Sequence, residues 1–235
     1  EIELRERQAD DYVDFVRKSR GAYWLRAQVG LMLQYLQLRP NLRIYDAGAG
    51  VGMYSLKVAK EFPSARILAV DFSAASIGVL KREAQKRGLR NIETLVENII
   101  TYQPQPESYD RAICNEVLQH LPRHEARLAA VRRIYKCLKP EGLFATANYR
   151  WGGFTKPPAP KEEIDHENSG LVRFSFTEEE LRALLEEVGF RNVRSFGIIR
   201  MPARIRSILP AWTACLAEKC LNALDWKSNN AQLVL

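Results

Sequence analysis

Asp46-Ala47-Gly48-Ala49-Gly50-Val51-Gly52, entered through the apolar residues Leu42, Ile44 and Tyr45, is the stretch that decides the fold. A strand that ends on an acidic residue and turns through three glycines lets a ligand touch backbone, because glycine adopts positive φ and carries no Cβ. The spacing discriminates between ligands. A dinucleotide fingerprint, GxGxxG, needs its third glycine at position 53, where this chain has Met53; the third glycine comes one residue early, at Gly52. A pyrophosphate is therefore the weaker reading. Asp46 points the same way, since a carboxylate beside the turn repels phosphate but accepts hydrogen bonds from an ammonium or a sugar hydroxyl.

Outward from the turn, apolar runs and helical periodicities alternate. Ile67-Leu68-Ala69-Val70-Asp71-Phe72-Ser73 reads as a second strand with its own terminal acid, and Asn91 to Val96 as a third, closed by Glu97-Asn98-Ile99. Tyr109 to Asn115 is a fourth, leading through Glu116-Val117-Leu118-Gln119-His120-Leu121-Pro122, and Leu138-Lys139-Pro140-Glu141-Gly142-Leu143-Phe144 turns into a fifth. Helices are expected from Tyr54 to Glu61, Ser73 to Arg87 and His124 to Cys137, and another from the Phe176-Thr177-Glu178-Glu179-Glu180-Leu181 run to Gly189-Phe190. Connections of that length require crossovers, so the sheet is expected to be mostly parallel. The first forty residues read as helical until Pro40. From Tyr149 to Ser175 the periodicity breaks, with Gly152-Gly153 and Pro157-Pro158-Ala159-Pro160, and a lid or substrate loop is expected there. A strand from Val193 to Ile199, a helix opened by Pro202 and interrupted at Pro210, and a last strand from Ala231 to Leu235 complete the reading.

Taken together and in this order, these segments resemble a class I S-adenosylmethionine-dependent methyltransferase from about Leu42 to Phe190. The resemblance implies an α/β fold with a Rossmann-like, doubly wound, mostly parallel sheet whose last strand is antiparallel. It implies an N-terminal helical cap at 1–40, a cofactor-binding core at 41–148, a lid at 149–176, and the remainder of the same catalytic domain at 177–235. S-adenosylmethionine is the implied cofactor. Its site would comprise Asp46, Gly48, Gly50 and Gly52, then Asp71 on both ribose hydroxyls with Phe72 beside it. Asn98, where such enzymes usually carry Asp, would face the adenine amine next to Ile99, and Asn115 would stand at the end of strand four. Glu141 takes a position where glycine is common.

The implied chemistry is in-line displacement at the sulfonium methyl, in which positioning dominates and neither a metal nor a covalent intermediate is needed. A hydroxyl acceptor would also want a base. His120, just after strand four, is the candidate catalytic residue, with a scaffold role for the same side chain as the alternative; Glu116 reads as a cap or cofactor-packing residue. Tyr23, Tyr149 and Trp151 are the candidate substrate contacts, though the spacing of Tyr12, Tyr23 and Trp24 is equally that of an ordinary packed helix.

Composition bounds the remaining choices. The chain has 235 residues, 46% of them hydrophobic, which suits one α/β domain with a sizeable core. No run is long and apolar enough to span a membrane and the start at Glu1 has no signal-peptide character, so a cytoplasmic location is expected. Cys114, Cys137, Cys215 and Cys220 lack metal-ligand spacing and read as free thiols. The net charge of +7 spreads along helix faces, with a second concentration at Arg191, Arg194, Arg200, Arg204 and Arg206. Without the interleaved aromatics of an RNA-binding module, solvated faces are the preferred account and nucleic acid the second. Cys114-Asn115-Glu116-Val117 matches neither the Pro-Pro-aromatic run of DNA amino methylation nor a Pro-Cys nucleophile. Three functions stay open: methyl transfer to a small metabolite or lipid-like acceptor, methyl transfer to RNA or protein, and cofactor binding without catalysis.

Overall fold

The computed structural model describes residues 23, 26–149, 162–164, 172–198, 205, 207–223 and 232–234. Tyr12, Trp24, Trp151, Phe154, His166, Arg200, Arg204 and Arg206 lie outside them.

Strand β1 (Arg43–Ala47) shows why this chain builds a covered sheet: its alternation sends Ile44 into one apolar layer and Tyr45 and Ala47 into another. Strands buried on both faces are typical of parallel sheets sandwiched between helices. Beside β1 run β2 (Arg66–Asp71), β3 (Ile92–Val96), β4 (Tyr109–Asn115) and β5 (Leu138–Asn148), all parallel. With β8 (Phe196–Ile198) and β9 (Gln232–Val234) the order across the sheet is β3-β2-β1-β4-β5-β9-β8. Strand β9 pairs antiparallel with both β5 and β8.

On one face, α1 (26–35), with Leu36 just past its end, and α2 (Met53–Glu61) lay Leu31, Met32, Leu36 and Val58 on Ile44, Ile113 and Ala145. Across the sheet, α4 (His124–Cys137) and α5 (Glu178–Val188) lay Val131, Ile134, Leu181 and Leu184 on Tyr45, Ala112 and Cys114. Burying each such side chain is worth about 1.5–3 kcal/mol before entropy is charged against it. Helix α3 (Ala74–Lys86) packs Ile77 and Leu80 against Ala69. Arg111, buried in β4, fastens the end of α1 by donating from Nε to the Leu36 carbonyl at 2.5 Å.

Two helices open on side-chain caps. Ser73 caps α3, its Oγ accepting the Ser76 N–H at 3.1 Å. Thr177 and Glu180 form a reciprocal capping box on α5, which ends on Gly189 at φ 119°. Glu141, at the position where glycine is common, adopts φ 63°. Two expectations need correction. The interval from Tyr149 to Ser175, read as a patternless loop, contains a two-stranded antiparallel hairpin, β6 (Glu162–Ile164) on β7 (Val172–Phe174), with Glu162 opposite Phe174. Three-residue strands are too short for a period-two signal to register. Strand β8 spans three residues of the longer run expected from Val193 to Ile199. A helix follows the turn after Pro210, as α6 (Ala214–Ala223). Among the described residues, no helix is long and apolar enough to cross a membrane.

Candidate cofactor and acceptor site

Strand β1 lies between β2 and β4, so the connections from the middle of the sheet leave in opposite directions there. The crevice beyond the carboxyl ends of such strands is where open α/β sheets bind ligands. The glycine turn floors it. The N–H groups of Gly48 and Ala49 both donate to the Val70 carbonyl, at 2.8 and 2.9 Å, which stitches the turn to β2.

All three glycines have positive φ, yet they serve different ends. A Cβ on Gly48 would lie 2.4 Å from Val117 Cγ2, and one on Gly52 would lie 2.2 Å from Leu80 Cδ1. These two are glycine because the backbone packs directly against a neighbouring side chain. Gly50, at φ 54°, has no atom of the described residues within 4 Å of where its Cβ would be, so of the three it is the one with space around it.

Asp71 stands over that opening, 8% exposed. Its Oδ2 accepts the Gly50 N–H at 2.8 Å and its Oδ1 accepts the Ser73 N–H at 2.9 Å. Both oxygens are thus aimed by backbone donors. Asp46 has a different first task from the one read in the sequence. It is 2% exposed and accepts from Ser55 Oγ at 2.6 Å, so it ties α2 to β1 beneath the turn. Burial raises its pKa to about 7, with the nearby charge of Asp71 adding to the rise and the Ser55 hydrogen bond opposing it.

Asn98 is exposed on the β2 side, and its Oδ1 accepts the Ile100 N–H at 2.9 Å, so one lone pair of the proposed adenine contact is already used in a local turn. Ile99 is buried in the α4–α5 layer, and Phe72 is half-buried.

At the end of β4 sits a polar cluster. Asn115 Oδ1 accepts from Tyr54 Oη and from Gln28 Nε2, both at 3.0 Å, and Gln28 Nε2 also donates to Glu116 Oε1 at 2.9 Å. Glu116 is held at φ 55°, a conformation uncommon for a non-glycine residue. Gln28 was missed in the sequence reading. Its signal is a polar residue that is fully buried between Ala27 and Leu31 on an otherwise apolar helix face. Among the described residues its Oε1 is buried with no hydrogen-bond partner, so this glutamine is one donor short.

His120, half-exposed, closes the 3-10 turn Leu118–His120 after β4. Its Nε2 is 3.3 Å from Nε2 of the fully buried Gln119, whose Oε1 accepts the Tyr149 N–H at 2.8 Å. The Tyr149 carbonyl accepts the Phe176 N–H at 2.9 Å, joining the two ends of the segment between them. Arg127 holds the return strand of that segment: it lies over the Phe174 ring at 3.7 Å and donates from Nε to the Leu121 carbonyl at 2.7 Å. The third substrate candidate goes elsewhere. Tyr23 is buried beside Ala27 and Ala214, and its hydroxyl donates to Glu218 at 3.2 Å, which makes it a tie to α6. Cys114 and Cys137 are buried free thiols whose pKa values burial pushes up, and among the described residues no group could hold a metal ion.

A parallel sheet, a glycine turn, a backbone-anchored carboxylate at the end of β2 and a crevice at the strand ends define a Rossmann-like domain. Comparison with known proteins narrows the class. Residues 44–142 match the family described as "Methyltransferase domain". The chain is 30% identical over 139 residues to (S)-coclaurine N-methyltransferase of Thalictrum flavum subsp. glaucum, covering 59% of this chain and 37% of that protein. It is 32% identical over 161 residues to malonyl-[acyl-carrier protein] O-methyltransferase of Geobacter sulfurreducens, covering 66% and 57%. The chain therefore spans about half, or less, of the length of these curated relatives. The fold is shared with an S-adenosylmethionine dependent methyltransferase from Mesorhizobium loti, at a TM-score of 0.66 and 18% identity over 91% of this chain and 96% of that one. Together these matches support a class I S-adenosylmethionine-dependent methyltransferase.

Proposed function

We propose that this chain binds S-adenosylmethionine across the crevice and transfers its methyl group to a small organic acceptor. The observation that carries the reading is Asp71: a carboxylate aimed by the Gly50 and Ser73 N–H groups, beside a turn glycine whose Cβ position meets no atom of the described residues within 4 Å. The ribose diol belongs on that carboxylate, and the amino-acid end of the cofactor lies over Gly50 toward Asn115. There the cluster of Gln28, Asn115 and Glu116, its glutamine one donor short, suits an ammonium group. The adenine lies along Asn98, beside Phe72.

Transfer requires a lone pair on the acceptor to approach the methyl carbon opposite sulfur. The new bond forms to carbon as the carbon–sulfur pair returns to sulfur, and the positive charge on sulfur is lost. The protein's part is alignment and exclusion of water. The small-acceptor reading is supported by the hairpin β6–β7, which Arg127 fastens close to His120, and by relatives named for N-methylation of coclaurine and O-methylation of a malonyl group. Tyr149 and Trp151, at the start of the segment that leads to the hairpin, are the acceptor contacts in this reading. Incubation with methyl-labelled S-adenosylmethionine and fractionated metabolites, RNA and protein tests it. Label is expected among small organic molecules. Label appearing mainly in RNA or protein would move the acceptor site to the basic stretch from Arg200 to Arg206.

A further inference from the structure

The candidate base His120 is gripped at Nε2, and the grip has a fixed polarity. A backbone N–H only donates, so the group of Gln119 that receives the Tyr149 N–H at 2.8 Å is its oxygen, and the orientation of the amide follows. The other end of the amide, Nε2, can then only donate. It meets His120 Nε2 at 3.3 Å, an arrangement open only to a ring nitrogen that carries a lone pair. A ring protonated there would set two donors against each other.

We propose that Gln119 is a positioning residue that holds His120 as a neutral ring protonated on Nδ1, its Nε2 lone pair engaged by the amide. While that grip lasts the ring cannot take a proton from an acceptor, since Nδ1 already carries one and Nε2 is occupied. His120 therefore acts as a hydrogen-bond donor that orients the acceptor or its surroundings. The acceptor in turn is a group that attacks without surrendering a proton to this ring, such as a carboxylate or an unprotonated amine. For a carboxylate the balance is complete without a base: an oxygen lone pair forms the bond to the methyl carbon, the carbon–sulfur pair leaves with sulfur, and no proton moves.

The same amide joins the ring to the root of the hairpin segment. Tyr149 gives its N–H to Gln119 and its carbonyl to Phe176, so a movement that freed Tyr149 would also free the amide and with it the Nε2 lone pair. The acceptor consequence rests on the methyltransferase reading; the tautomer does not.

The test is nitrogen NMR on the full chain labelled at histidine, without substrate. The sequence has three histidines, and His120→Gln identifies the signals of His120. The expected spectrum shows a protonated Nδ1 and a bare Nε2 at neutral pH. In Gln119→Glu the carboxylate still accepts the Tyr149 N–H but faces Nε2 with an acceptor, so the ring should move its proton to Nε2 or become imidazolium. Gln119→Leu removes the contact, and the two neutral tautomers should then mix. A parent ring protonated on Nε2, or unchanged signals in a folded Gln119→Glu, overturns the proposal. The parent spectrum alone decides the tautomer, so a variant that failed to fold would not leave the question open. Failure of the small-acceptor reading shows instead in the labelled fractions and leaves these spectra untouched.

Discussion

Beneath the glycine turn and at its rim, two aspartates close neighbouring parallel strands, and their surroundings diverge over two residues of register. Asp46 on β1 pairs with Ala69 on β2, so Asp71 stands two residues farther toward the carboxyl ends on the same face of the sheet. At the rise of an extended strand that is about 6.6 Å. The lower carboxylate ends up beneath the turn, closed in with Ser55. The upper one clears the turn and reaches the crevice with both oxygens held by backbone donors. The glycines divide in the same way, Gly48 and Gly52 against neighbouring side chains and Gly50 toward open space. On the proposed reading, a residue below the rim builds the turn and a residue at the rim meets the ligand.

The largest effect expected from that division is on stability. Gly52→Val combines a left-handed backbone with a Cβ driven into Leu80, and should cost about 3 kcal/mol or more in urea denaturation. A variant as stable as the parent would break the distinction between packed and open glycines. Next comes Asp71→Ala, which removes two charge-assisted hydrogen bonds to the ribose and the anchor of the Gly50 N–H. Calorimetric titration should show S-adenosylmethionine and S-adenosylhomocysteine weakened alike, by about 2–4 kcal/mol. Unchanged affinity would remove Asp71 from the cofactor site.

A subtler consequence concerns Asp46. Its carboxyl titrates near 7 when folded against 3.8 as a free group, so the folded protein holds a proton that the unfolded chain releases. Stability on this account is full below pH 4, falls as pH rises toward 7, and levels above it, a loss on the order of 4 kcal/mol. Asp46→Asn should flatten that slope in pH-dependent denaturation while leaving cofactor affinity near the parent value. A slope that survives the substitution would assign it to other groups. The smallest effect is expected at Trp151→Ala: about a tenfold rise in the acceptor KM or less, with cofactor affinity unchanged.

Much of the turn and its strands was legible in the sequence because the signals are local. Apolar alternation, a terminal acid and three glycines suffice for β1 and β2, and Ser73 and Thr177 mark their helices by side-chain chemistry that acts within three residues. The role of Asp46 was not legible, since a strand-end carboxylate reads the same whether it faces a ligand or a helix, and only the register with β2 separates the two. Gln28 and Gln119 were missed for a related reason. Their partners, Asn115, Glu116 and Tyr149, are distant in the chain, and a buried glutamine leaves no periodic trace. The positive φ of Glu116 is set by the packing of the turn after β4 and has no residue-type signature, whereas Glu141 could be anticipated from its place in a turn where glycine is common.

The central claim is that the open side of Gly50 faces the cofactor, and Gly50→Val tests it most directly. With no neighbour among the described residues within 4 Å of the added Cβ, the variant should fold, less stable than the parent by about 1–2 kcal/mol for its left-handed backbone. Circular dichroism and titration with S-adenosylhomocysteine on one sample give both readings. A parent-like spectrum with binding lost is the result this account predicts; a folded variant that binds as the parent does would contradict it.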